Sequence, residues 1–379
     1  MKIRVGVIGT GFMGLAHVDA LRRLPSVEVI AVAASSEEKA RAFAQRQQIP
    51  RAYGDPSAFI ADADIDVVHN CTPNHLHFPI NQAALQAGKH VLSEKPLAMN
   101  TTETAALVDL AERRGRVAAV NYAYRYYPLV QHARRFIQSG ALGRMFLVHG
   151  FYLQDWLLYE TDYNWRVDPA RGGTSRAIAD IGSHWCDLVQ HVTGRRITHV
   201  CAEQATIHAT RLKPKAEAVT FSSGDLREAT EVPVGTEDYA GALIRLDDGA
   251  RGFFAVSQVS AGHQNSLIFE IDCAEGAVRW DQEEPEHLWI GRRDRPSEIL
   301  PKSPGLLDER ARGYAHYPVG HPEGYPDVFT NLFRNVYAHV ADRSTAPEFP
   351  TFHEAHQIAA VVEAMLASHQ QGKWVAIPE

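Results

Sequence analysis

The 379-residue sequence predicts an α/β chain in two parts. A doubly wound parallel sheet is expected over residues 1–122, and an α+β domain with a large, mostly antiparallel open sheet over residues 123–379. Three observations predict this. An apolar run, Ile3–Ile8, leads into Gly9-Thr-Gly11-Phe-Met-Gly14 and then into a helical pattern. Strand and helix patterns then alternate through short links as far as Val117–Val120, which is how parallel sheets are wound. Beyond that point longer β-rich segments take over, with the hairpin signal Asp247-Asp248-Gly249 between two of them.

Each element has a local cause. Ile3, Val5, Val7 and Ile8 read as a strand buried on both faces. In the glycine triplet, the first allows a tight turn, the second a close approach to a pyrophosphate, and the third close helix–strand packing. The helix that follows opens its amides and its positive dipole end toward phosphate, so Gly9, Gly11, Phe12 and Met13 are candidate contacts to a dinucleotide. Val27–Ala33 is the second strand and Glu37–Gln47 the next helix. Asp55-Pro56 caps and starts another helix. Asp66–Asn70 is a strand, His75–Ala87 a helix stopped by Gly88, and His90–Ser93 a short strand. Asn100-Thr-Thr-Glu103 resembles a capping box and opens a helix that ends near Gly115. In the second part, helices are expected at about 128–139, from near Gly182, at 327–340 and at 353–369. Strands are expected at 145–153, 239–246, 252–260, 266–273 and 288–291.

Composition narrows the function. The chain is 45% hydrophobic and 22% charged, with net charge -7. That balance disfavours nucleic acid and anionic membranes as partners, since both require a basic face. No apolar run approaches a membrane span, and no signal peptide is apparent. Cysteines 71, 186, 201 and 273 form no C-x-x-C pair, which suits the cytoplasm.

The candidate chemistry lies at strand ends. An acid about twenty residues beyond the glycines would bond the ribose diol, but position 34 is alanine, followed by Ser35 and Ser36. NAD and NADP both stay open, with NAD favoured. Thr72, Asn74 and His77 follow the strand ending at Asn70 and can line a cofactor; Thr72 or Asn74 can also cap the next helix. Glu94 and Lys95 sit at another strand end, where a lysine can stabilise a developing alkoxide. In Asp180-Ile-Gly-Ser-His184-Trp-Cys-Asp187, Trp185, Leu188, Val189 and Val192 form the buried stripe of a helix. His184 falls off that stripe, four residues from Asp180, an arrangement that makes a tunable acid/base. Asp187 and His191 extend the polar face, yet the carboxylates are too few for a metal centre, and none is expected.

These motifs together are specific. With the glycine triplet, Thr72-Pro-x-x-x-His77, Glu94-Lys95-Pro96 and Asp180-x-x-x-His184, the whole chain resembles the glucose–fructose oxidoreductase, inositol dehydrogenase and rhizopine-catabolism family. Within it, Tyr152-Leu-Gln-Asp-Trp156 and Gly320-His-Pro-Glu-Gly-Tyr-Pro-Asp327 look like the branch of levoglucosan dehydrogenase-like sugar dehydrogenases. The resemblance implies a nicotinamide-dependent oxidoreductase acting on a secondary hydroxyl of a cyclic sugar, anhydrosugar or inositol. Lys95 would meet both nicotinamide and hydroxyl, His184 would be the acid/base, and Asp180 would hold the substrate. Glu94, Asn121, Trp165, Arg166 and Tyr325 match cofactor contacts, and Tyr122 and Gln154 are candidate substrate contacts. The family also implies a homodimer or homotetramer assembled through the second sheet. Two alternatives use the same cluster: a keto-sugar reductase and an NAD-dependent glycosidase. A non-catalytic cofactor-binding regulator would need neither Lys95 nor His184.

Overall fold

The computed structural model describes residues 2–215, 228–344 and 346–378. The chain divides into two compact units, one of residues 1–123 and 325–359, the other of residues 124–324 and 360–379.

The first unit holds strands β1 (Ile3–Ile8), β2 (Val27–Ala33), β3 (Arg51–Tyr53), β4 (Val67–Asn70), β5 (His90–Ser93) and β6 (Ala118–Val120). They form one parallel sheet in the order β3-β2-β1-β4-β5-β6. Helices α1 (Phe12–Arg22), α2 (Glu37–Arg46), α3 (Pro56–Ala61), α4 (His77–Gln86) and α5 (Thr101–Arg114) make the crossovers. Their starts are set locally: Ser36 caps α2, Asp55 caps α3 with Pro56 next, and Asn100 accepts from the Glu103 amide at α5. Strand order reverses between β1 and β4, the place where open α/β sheets bind ligands beyond their carboxyl ends.

A boundary at residue 122 leaves residues 325–359 with the second domain, whereas the structure packs them on the first unit. The reason is side-chain complementarity. On helix Tyr325–Ala341, the rings of Phe329 and Phe333 lie 5.8 and 4.9 Å from His17 of α1. Asp327 pairs with Arg23 at 2.7 Å, and Tyr337 bonds His69 at 2.8 Å.

The second unit is built on nine strands in the order β16-β15-β14-β13-β7-β12-β11-β8-β17. These are β7 (Met145–Leu153), β8 (Ile197–Ala205), β11 (Tyr239–Leu246), β12 (Arg251–Ser257), β13 (Ser266–Cys273), β14 (Gly276–Asp281), β15 (His287–Gly291), β16 (Glu298–Pro301) and β17 (Val375–Ala376). Strands β9 (Thr210–Lys213) and β10 (Thr230–Pro233) form a separate ribbon. All neighbours in the large sheet run antiparallel except β7 and β12. One face carries helix Ser183–Thr193, whose Trp185 stacks on Phe254 at 4.4 Å and donates to the Ile268 carbonyl at 2.9 Å. A side chain at position 150 would come within 2.8 Å of the Trp185 indole nitrogen, so glycine there lets the helix sit down. The opposite face shows a cross-strand row of Ile299, Trp289, Arg279, Glu270, His149, Phe253, Leu243 and Cys201.

Candidate active site

Each unit presents a polar cluster, and each is built by its own elements. In the first unit, β5 ends at Ser93, so Glu94 and half-buried Lys95 leave the sheet at the switch point. The Glu94 carboxylate is only 5% exposed and accepts from His17 Nε2 at 2.8 Å and from Asn121 Nδ2 at 2.5 Å. Burial would raise its proton affinity, but the bonds from His17 and Asn121 and the nearby Lys95 charge outweigh that and hold it below the usual range. Behind it, His17 Nδ1 meets His69 Nδ1 at 2.9 Å, and burial drives His69 well below the ordinary histidine value.

The loop after β4 is fixed from beneath. Asn70 accepts from the Thr72 hydroxyl at 2.6 Å and donates to Asn81, which donates on to Ser93. Asn74 opens a short 3-10 turn. His77 is buried, with its two ring nitrogens 2.6 Å from the Pro96 carbonyl and 2.7 Å from that of Thr72. Burial lowers its proton affinity, opposed by the two carbonyls and Glu94. At the end of β2, Ser36 caps α2 and Lys39 Nζ reaches back to Ser35 at 3.4 Å. Glu37 is turned onto Arg41 and the Gly54 amide. Phe12 is 47% exposed and stacks with Tyr325 at 6.4 Å, and Tyr122 is buried.

In the second unit, Asp180 lies in a π-helical turn, Ile178–Gly182, that runs directly into the helix bearing His184. Asp180 Oδ2 accepts from Gln258 at 2.9 Å, and Arg166 Nε lies 3.4 Å from Oδ1. The Arg166 guanidinium also covers the Trp165 ring at 4.5 Å. His184 sits 4.8 Å from the Tyr124 ring and 6.3 Å from that of Tyr152. The Tyr124 and Tyr152 hydroxyls touch at 2.9 Å, and Asn265 binds Tyr152 at 2.5 Å and Gln154 at 2.9 Å. Trp156 donates to Gln154 at 2.9 Å. Gln154 is therefore brought to the aromatic cluster at His184, although it lies just past the end of β7.

Two polar residues expected on an open helix face are placed otherwise. Asp187 is buried and takes two bonds from Arg125, at 2.8 and 2.5 Å. His191 meets Gln131 at 3.1 Å and is pushed well down by burial, with Arg125 next in effect. Tyr124, Asn265, Gln258 and His17 carry no motif of their own, and only the structure brings them to these clusters. Among the described residues, one group with metal-ligand character, His149, Glu270 and Asp272, lies on the far sheet face.

Comparison with known proteins gives the family. Residues 3–122 match the model of the "oxidoreductase family, NAD-binding Rossmann fold", and residues 130–279 match the GFO/IDH/MocA C-terminal domain. The chain belongs to the GFO/IDH/MocA oxidoreductase family. It is similar to levoglucosan dehydrogenase from Pseudarthrobacter phenanthrenivorans, at 29% identity over 100% of this chain and 99% of that one. Among solved structures it resembles an oxidoreductase domain protein from Kribbella flavida, at 30% identity, full coverage of both chains and TM-score 0.90. It also resembles levoglucosan dehydrogenase in complex with NADH and L-sorbose, at 29% identity, TM-score 0.90, covering 100% of this chain and 99% of that one.

As a member of this family the chain is a nicotinamide-dependent oxidoreductase, and its residues fit the cofactor. Gly9 has φ +104, and a Cβ there would lie 2.4 Å from the Cys71 carbonyl oxygen. A Cβ on Gly14 would lie 2.0 Å from the Gly9 oxygen. Both glycines are demanded by the turn itself. At Gly11 a Cβ would meet nothing within 4 Å, so the space is open where a pyrophosphate requires it. Helix α1 has no side-chain cap and no acid in its first turn, which leaves its positive end to a phosphate. In addition, buried Asn121 Oδ1 has no protein partner.

Proposed function

We propose that the protein exchanges hydride between nicotinamide and a secondary hydroxyl of a cyclic sugar, anhydrosugar or inositol. The observation that carries this reading is the single turn 178–184. It carries His184 beside a wall of tyrosines and carboxamides formed by Tyr124, Tyr152, Gln154 and Asn265, with Asp180 four residues earlier. Aromatic faces suit the C–H surfaces of a ring, and amides and phenols suit its hydroxyls. The similarity to levoglucosan dehydrogenase supports the same class.

When bound, the nicotinamide accepts or returns the hydride. A ring nitrogen of His184 takes the hydroxyl proton as the C–H bond is lost and returns it in the reverse direction. Asp180 holds the hydroxyl by accepting from it, and Lys95 offsets the charge that grows on the oxygen. Gly9, Gly11, Phe12 and Met13 would hold the pyrophosphate, Ser35 and Ser36 the ribose, and Thr72, Asn74 and His77 would line the rest of the cofactor site. Asn121 Oδ1 and Glu94 serve the nicotinamide end, with Trp165, Arg166 and Tyr325 as further cofactor contacts and Tyr122 as a substrate contact. NAD is the favoured cofactor; Ser35 and Lys39 leave NADP open. The outer sheet face, with Leu243 52% and Ile299 66% exposed, is the surface for a homodimer or homotetramer. Four free thiols suit a reducing cytoplasm.

His184→Ala tests the reading. On a panel of monosaccharides, anhydrosugars and inositols, with NAD and NADP side by side, it should lose about a hundredfold or more in turnover and still bind NADH. Unchanged turnover removes the assigned base. A keto-sugar reductase would run in the opposite direction on the same panel, and a redox-neutral glycosidase would consume a glycoside without net NADH.

A further inference from the structure

Behind Asp180 runs a buried chain of groups in which every hydrogen bond has only one possible direction. A guanidinium can only donate, so the Gln258 oxygen must face Arg176, whose Nη1 lies 3.0 Å from it. The Gln258 amide nitrogen is thereby turned the other way, onto Asp180 Oδ2 at 2.9 Å. Gln258 is 0% exposed and Arg176 1% exposed, so water does not compete for either group. Arg176 is itself immobilised. It donates to Thr236 Oγ1 at 3.2 Å and forms a close ion pair with Asp238. Asp238 also takes Arg211 Nη2 at 2.7 Å and the Ile207 and His208 amides. The Arg176 carbonyl accepts from the Asp180 amide at 2.7 Å, so one residue sets both the backbone and, through Gln258, the side chain of Asp180.

We propose that Gln258 and Arg176 are positioning residues: they fix Asp180 as an oriented acceptor and act on the reaction only through it. The proposal rests on the reading that Asp180 belongs to the reacting site. Oδ2 takes the Gln258 amide and Oδ1 is flanked by Arg166, so both oxygens are held in place. Arg166 from the turn 165–167 faces this carboxylate, and His184 follows four residues along the chain. Behind the amide stand Arg176, Asp238, Glu237 and Arg211. Of these, Glu237 Oε1 caps the turn by accepting from the Arg176 and Ile178 amides, both at 2.9 Å.

Gln258→Glu tests the idea. The new carboxylate still accepts from Arg176 but presents an acceptor to an acceptor, and the two oxygens must then share one proton. Activity relative to wild type should survive at acid pH, where the shared proton is present, and fall on the alkaline side. Gln258→Met removes the donor without adding charge and should lower kcat about tenfold to a hundredfold at every pH, with KM changing less. The pair Gln258→Glu with Asp180→Asn restores the bond with its donor reversed. It should recover the thermal stability lost in Gln258→Glu and remain inactive. An active wild type whose pH profile is unchanged by Gln258→Glu, or whose kcat is unchanged by Gln258→Met, overturns the positioning role. A wild type that turns over no polyol, whatever the double variant's stability, overturns the reading beneath it and the proposal with it.

Discussion

Replacing Glu94 by glutamine isolates the worth of one buried charge. Both bonds to this carboxylate, from His17 and from Asn121, end on the same oxygen, Oε1. A glutamine carbonyl in that place keeps both partners and loses only the charge. A bond to a charged group contributes about 1.5–3 kcal/mol and a neutral one about 0.5–1.5 kcal/mol, so two such exchanges should cost about 2 kcal/mol. Glu94→Leu instead leaves two buried donors unpaired and should cost about 4 kcal/mol or more. The native carboxyl is held below its ordinary range, so its contribution is complete above the unfolded value of about 4.3 and is lost as pH falls through the lower native value. The difference between wild type and Glu94→Gln should therefore be flat from about pH 5 to 8 and close below about pH 4. All the tryptophans, 156, 165, 185, 280, 289 and 374, lie in the other unit, so the loss is best read by a probe inside the first unit. Hydrogen exchange over residues 90–96 and 117–122, where the Asn121 amide donates to Ser93, reads it directly. Equal protection in the two proteins at pH 7, or a gap that persists unchanged to pH 3, would refute the reasoning.

Three further outcomes follow from the same kind of geometry. Gly11→Ala should fold with an unchanged melting temperature, because its Cβ meets nothing, yet bind NADH at least about tenfold more weakly by calorimetry. Gly14→Ala should lose stability outright, since its Cβ would lie 2.0 Å from a backbone oxygen. Asp187→Asn leaves the buried Arg125 guanidinium without its counter-charge and should cost about 3–5 kcal/mol in urea unfolding followed by tryptophan fluorescence, to which Trp185 contributes from the same helix. A cost below about 1 kcal/mol would show that Arg125 finds another partner.

The elements that could be read in advance are those whose causes are local. Strand β1 keeps Val5–Ile8 buried and β4 opens with the buried pair Val67-Val68, apolar signals that local reading finds, and the caps at Ser36, Asp55 and Asn100 bond amides two or three residues away. Strand β3 escaped notice because its three residues are only half-buried. Strand β8 escaped because Thr198, His199, Glu203 and Gln204 dilute its alternation. The placement of helix Tyr325–Ala341 depends on aromatic contacts with His17 and His69, more than two hundred residues away in the chain, and no period in the sequence encodes that. The burial of Asp187 has the same kind of cause: the helix has a polar side there, but an arginine from 62 positions earlier in the chain packs onto it.

The two clusters also show why motifs reveal only half of a site. Glu94 and Asp180 are visible in sequence because they sit in recognisable strings; the amides that hold them are not. Asn121 serves Glu94 and Gln258 serves Asp180, in each case with a carboxamide nitrogen donating to a carboxylate. The two differ in their second atom. The Gln258 oxygen faces Arg176 and the side chain is fully buried, which keeps that amide from a ligand and turns it onto Asp180. The Asn121 oxygen is buried without a protein partner, an arrangement that costs stability unless a donor arrives. A carboxamide N–H has that polarity, and a nicotinamide carries one. The same side-chain chemistry thus leaves a bonded oxygen in one unit and an unpaired one in the other, and the partner of the second atom is what separates them.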